Sequence, residues 1–129
     1  MYRSIDDDVA IVTQAFTAFA ARDVSRLEEL TSASLILTNP PTGSAVGRQR
    51  YEGRGAMTMY LADVERVWDS LELRPQTFHS LRPGEVLVAG SVIVQRDGET
   101  RELAAAWSWG VVDGKIASVR VLPTGDPPS

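Results

Sequence analysis

Residues 101–122 read RELAAAWSWGVVDGKIASVRVL, and the fold turns on how this stretch is read. It predicts two strands joined by a tight turn at Val112-Asp113-Gly114-Lys115, since Asp and Gly both tolerate the positive φ that a two-residue hairpin demands. Side chains alternate along a strand. Leu103, Ala105, Trp107 and Trp109 therefore share one face, and Ala104, Ala106, Ser108 and Gly110 the other. A bulky aromatic face opposite a face of small residues implies two different coverings, and the aromatic side is expected to line a pocket.

Upstream, Val86 to Arg96 is the most hydrophobic strand. Val86, Val88, Val92 and Val94 lie on one face and Leu87, Ala89 and Ile93 on the other, a pattern that predicts cover on both sides. Arg96-Asp97-Gly98-Glu99 is a second hairpin turn. Leu71 to Leu81 alternates as a strand with Leu71, Leu73, Thr77, His79 and Leu81 on one face, and Pro75 marks an edge or a bulge. Before it, Arg54 to about Trp68 is a helix with an apolar stripe of Met57, Tyr60, Leu61, Val64, Val67 and Trp68, and with Asp63, Glu65, Arg66 and Asp69 facing water.

Residues 39–53 form a long loop opened by Asn39-Pro40-Pro41, because two prolines cannot continue a sheet ladder. It contains Tyr51, able to close over a pocket mouth, and Arg48 and Arg50, which with Arg54 could grip an anion. Leu35–Thr38 is a short strand. Nearer the start, Val9–Ala21 is an apolar helix capped by Ser4, with Val12, Ala15, Phe16 and Phe19 at helical spacing. Asp23 caps a second helix from Val24 to about Leu30. The order is α+β, three helices on one face of a bent antiparallel sheet. Residues 1–122 make one domain and 123–129, rich in proline, a flexible C-terminal tail.

A chain of 129 residues is large enough for a core without staples. With no cysteine, thiol catalysis and disulfides are excluded. The net charge of −4 argues against nucleic acid as a partner. No apolar run is long enough to span a membrane, and no basic-then-apolar leader follows Met1, so the expectation is a cytoplasmic protein.

Four strings in this order are recognisable: Ala21-Arg22-Asp23-Val24-Ser25-Arg26-Leu27, Leu35-Ile36-Leu37-Thr38-Asn39-Pro40, Tyr51-Glu52-Gly53-Arg54-Gly55-Ala56 and Val112-Asp113-Gly114-Lys115-Ile116. On these, the chain resembles the nuclear transport factor 2-like superfamily, on its SnoaL-like and ketosteroid isomerase-like side, from about Asp6 to Leu122. The resemblance implies a cone: three helices of the N-terminal half packed in a strongly curved, mixed, mostly antiparallel sheet around an apolar cavity. It also implies a homodimer through the outer sheet face, and a range of activities that includes isomerases, polyketide cyclases, dehydratases and hydrolases alongside non-catalytic binding modules. In ketosteroid isomerases a carboxylate base follows the first strand, a tyrosine stands in the first helix and a protonated acid in the penultimate strand. The matching positions here are Asn39, Ala15 and Trp107, so that standard isomerase chemistry is not expected.

His79, the only histidine, is the candidate proton carrier. Phe19, Asn39, Tyr60, Trp107 and Trp109 are the candidate ligand-binding residues: aromatics to stack, and Asn39 and the Trp107 N–H to hydrogen-bond. No carboxylate spacing suggests a metal, and no cofactor is expected. The expected partner is a hydrophobic small molecule with a carbonyl or hydroxyl; the alternative is a non-catalytic homodimerisation or protein-interaction module that uses the outer set Leu87, Ala89, Ile93, Ala104 and Ala106.

Overall fold

Val12, Ala15, Phe16, Ala18 and Phe19 of helix α1 (Ile5–Ala20) are all buried, whereas Thr13, Gln14 and Thr17 are exposed. The computed structural model of the chain describes residues 5–38 and 50–122, so the expected cap at Ser4, the loop positions Asn39 and Arg48 and the tail 123–129 lie outside it. Helix α1 stops at a left-handed residue, Arg22 (φ 56°). The Arg22 N–H donates to Phe19 O and the Asp23 N–H to Ala18 O, the paired bonds of a Schellman ending. A non-glycine residue in this conformation costs roughly 1–2 kcal/mol. The guanidinium offsets that: it donates to Phe19 O at 2.7 Å and to Leu71 O at 2.9 Å, and lies over the Phe19 ring.

Helix α2 (Val24–Leu30) begins at Asp23, whose side chain accepts the Arg26 N–H, and buries Leu27 and Leu30, as expected. Strand β1 (Thr31–Thr38) starts four residues earlier than its aliphatic core suggests. Part of the expected long loop is instead strand β2 (Arg50–Glu52), paired antiparallel to β1. Helix α3 (Ala56–Val67) follows Gly55, which holds φ 119°. Four strands complete the chain: β3 (Ser70–Arg82), β4 (Glu85–Arg96), β5 (Glu99–Val112) and β6 (Lys115–Leu122).

The six strands form one sheet in the order β2-β1-β6-β5-β4-β3. Only β1 with β6 is parallel; the other pairs are antiparallel. Three helices pack in this curved, mixed sheet. Both Asp-Gly turns adopt the positive φ that their residues predict, at Asp97-Gly98 and Asp113-Gly114.

The register of β3 corrects one reading. Leu71 pairs with Val94 and Leu73 with Val92, all facing the helices, but the ladder shifts between Pro75 and Thr77. Beyond that bulge Phe78 pairs with Val88, and its ring packs on Phe16. One extra residue reverses the alternation, so His79, opposite Leu87, points to the outer face and is exposed. Gly90 permits the bulge: a Cβ there would overlap the Arg74 carbonyl oxygen and lie 2.9 Å from Pro75 Cα.

The core lies between the helices and the inner sheet face. Val86 and Val88 are fully buried, as are Ile116 and Leu27. Asp8, also fully buried, accepts the Gly84 N–H at 2.7 Å and so ties α1 to the β3–β4 turn. Leu103 shares the face of Trp107 and yet is 45% exposed. On the outer face Ala89 and Ala104 are exposed and Leu87, Ile93 and Ala106 partly so. Among the described residues no helix is long and apolar enough to cross a membrane.

Candidate functional site

Six elements contribute to one apolar site inside the curve. Phe19 comes from α1, Leu37 from β1, Met57 and Tyr60 from α3, Leu73 from β3, Trp107 and Trp109 from β5, and Val119 and Val121 from β6. The period of two puts both tryptophans on the inner face, 4% and 5% exposed. Phe16 of α1 packs on both, with its ring edge-on to each at 5.2 Å between centroids. Phe19 and Tyr60 stand 6.1 Å apart, and Tyr51 meets Tyr60 edge-on at 5.5 Å. Such offset and edge arrangements are the favourable ones for aromatic rings. The packing leaves a cavity of about 20 Å³, the room that one water-sized group needs.

Two polar tips are set into this lining. Burial pushes the Tyr60 hydroxyl up to about 12, with the Arg22 guanidinium pulling weakly the other way. Tyr60 is therefore a neutral donor at any ordinary pH. The second is the indole Nε1–H of Trp109, which is buried and has no hydrogen-bond partner among the described residues.

Behind Tyr60 lies a buried polar cluster that local pattern did not reveal. The Tyr51 hydroxyl donates to Asp63 at 2.5 Å, and Arg66 pairs with the other Asp63 oxygen at 2.9 Å. Tyr51 is 1% and Asp63 3% exposed. Asp63 thus does not face water as its helical position suggested, and Tyr51 is a core residue under α3 instead of a lid. The available signal was that Asp63 borders the apolar stripe, three residues after Tyr60.

Of the expected ligand-binding residues, Phe19, Tyr60, Trp107 and Trp109 converge on the inner cavity. Asn39 lies outside the described residues. His79 does not join the four; it stands on the far side of the sheet, for the register reason given above. Nor do the arginines gather: Arg50 is paired with Glu52, and Arg54 lines a separate depression of about 360 Å³ between α2, the start of β1 and the N-terminal end of α3. That depression is polar and open, bordered also by Glu28, Thr31 and Lys115. Met57 lines both it and the inner cavity, and so forms the partition between them. Among the described residues no group of three or more His, Asp or Glu could hold a metal ion.

The family model for the SnoaL-like domain matches residues 12–119, from mid-α1 through β6. The chain belongs to the SnoaL-like domain family. Solved structures share this fold across almost the whole chain. TerC, co-crystallized with polyporic acid, superposes with a TM-score of 0.82 at 21% identity, covering 90% of each chain. An NTF2-like protein from Burkholderia pseudomallei K96243 gives 0.81 at 18% identity, covering 90% of this chain and 89% of its own. A candidate SnoaL-like polyketide cyclase from Jannaschia sp. CCS1 gives 0.76 at 15% identity, covering 95% and 90%. At these identities the likeness is one of fold. No curated protein matches the sequence.

Proposed function

We propose that this SnoaL-like chain binds a hydrophobic small molecule carrying a carbonyl or hydroxyl, held inside the cone between Phe19, Tyr60, Trp107 and Trp109. The observation that carries the reading is the convergence of these four side chains, from three separate elements, on one apolar cavity with two polar tips. Few polar groups in an apolar concavity are what small-molecule sites are made of. TerC, which has the same fold, was co-crystallized with polyporic acid, and this supports small-molecule binding as a use of the fold here.

The cavity of about 20 Å³ requires the lining to move before a ligand enters. Met57 is the side chain suited to do so: unbranched, adaptable, and shared with the open depression outside. The reading is tested by thermal unfolding and tryptophan fluorescence with a panel of small aromatic ketones and alcohols. Saturable quenching together with a raised Tm is expected. A panel that shifts neither would refute the proposal.

A second reading rests on the outer sheet face. Leu87, Ala89, Ile93, Ala104 and Ala106 present small and apolar side chains there on a single chain, which supports a homodimer through that face. Light scattering at micromolar concentration should give twice the chain mass; the chain mass alone would remove this reading and leave the first intact.

A further inference from the structure

Trp109 buries a hydrogen-bond donor that the protein does not satisfy. Its side chain is 5% exposed and lines the inner cavity, and Nε1 has no partner among the described residues. Indole N–H is a donor only, and a buried donor left unpaired is disfavoured by the full cost of its desolvation. Such orphans are rare in native cores. Its neighbours in the cavity wall cannot relieve it: Phe19, Leu37, Val119 and Val121 carry no side-chain acceptor, and Met57 at most a weak one. Tyr60 adds a second donor, held protonated by its surroundings. The wall therefore offers two hydrogens to an oxygen, and its Trp109 donor is met only by a group that carries an acceptor.

We infer that Trp109, and not Trp107, is the specificity-determining contact of the cone interior, and that it selects ligands presenting an acceptor oxygen, a ketone or quinone carbonyl, over isosteres that lack one. The inference rests on the binding reading above and adds to it which side chain meets the ligand's oxygen. The physical ground is asymmetry: a site whose buried donor is met by an acceptor discriminates strongly against the analogue that leaves it unmet.

Acetophenone and α-methylstyrene test it, since they differ only in C=O against C=CH2. The 15N-labelled protein is titrated with each, following the indole N–H resonance of Trp109, assigned by its loss in Trp109→Phe. Acetophenone should bind about five- to tenfold more tightly and move that resonance downfield, while α-methylstyrene binds without the downfield shift. In Trp109→Phe the ratio of the two affinities should fall toward one. Equal affinities in the wild type, or a ratio unchanged by Trp109→Phe, overturn the inference while leaving the cavity reading standing. So does an upfield indole proton unmoved by acetophenone, the sign of an N–H directed onto the Phe16 ring. Binding of neither probe overturns both. If Trp109→Phe does not fold, the resonance is assigned by elimination from Trp68→Phe and Trp107→Phe, and its wild-type shift still decides the matter.

Discussion

Met57→Ala separates the cost of a filled interior from its use. Met57 is 5% exposed and stands between the inner cavity and the outer depression. Removing a buried Met side chain to Cβ costs about 2–5 kcal/mol, the spread reflecting how far the site collapses or fills. Here one flank of the side chain already borders open space of about 360 Å³, so solvent reaches the gap and the cost falls toward the lower end, about 2–3 kcal/mol. For a domain of this size that is a fall in Tm of about 6–15 °C. The ligand should see the opposite sign. In the wild type the binding-competent arrangement has to be populated first, and apparent affinity is reduced by that fraction. If displacing Met57 costs about 1–2 kcal/mol, the variant binds acetophenone about five- to thirtyfold more tightly. Calorimetric unfolding with and without the probe reads both effects: a lower Tm without it and a larger upward shift with it. A variant that loses stability and also binds no more tightly than the wild type refutes the partition argument, because the interior would then be closed by something other than Met57.

Tyr51→Phe keeps the ring against Tyr60 but removes the hydrogen bond to Asp63, and should cost about 1.5–3 kcal/mol in urea unfolding with probe affinity unchanged. Gly90→Ala drives a methyl into the Arg74 and Pro75 backbone; a loss of about 1–3 kcal/mol or more is expected by chemical denaturation. Tyr60 is neutral in the fold up to about pH 12 but ionises near 10 when unfolded. Its contribution is therefore complete below pH 10 and lost as pH rises from 10 to 12, and Tyr60→Phe should flatten that slope in pH-dependent unfolding. Asp23→Ala removes the cap of α2 and should cost about 1 kcal/mol, read as a lower Tm.

The sequence carried the elements well where the signal is local and periodic. The Asp97-Gly98 and Asp113-Gly114 turns, the Asp23 cap and the inward faces of β4 and β5 all follow from residue chemistry within a few positions. The misplacements come from features with no local period. A single bulge at Pro75–Thr77 exchanged the faces of Phe78 and His79, although Pro75 had marked the place. Strand β2 is only three residues long, too short for alternation to declare itself. Tyr51 and Asp63 are buried by each other across twelve positions, and helical spacing alone puts Asp63 on the wet side of α3. Four ligand-binding candidates were legible because inward aromatics on one strand and two helices have nowhere to meet but inside the sheet. Which tryptophan N–H lacks a partner depends on the rings packed around it, and that needed three dimensions.

The chemistry brought together inside the cone has a consistent sign. Tyr60 donates and stays protonated, and Trp109 can only donate. No carboxylate or imidazole lines the cavity among the described residues: Asp63 is turned to Tyr51 and Arg66 behind α3, and His79 lies across the sheet. Donors without a base can polarise a carbonyl and stabilise negative charge on its oxygen, but taking a proton from carbon requires a group that accepts it. Trp107, its ring packed edge-on against Phe16, gives its part of the wall apolar contact. Among the described residues the wall thus offers two hydrogen-bond donors and neither carboxylate nor imidazole, the arrangement on which the proposed recognition of an acceptor oxygen rests.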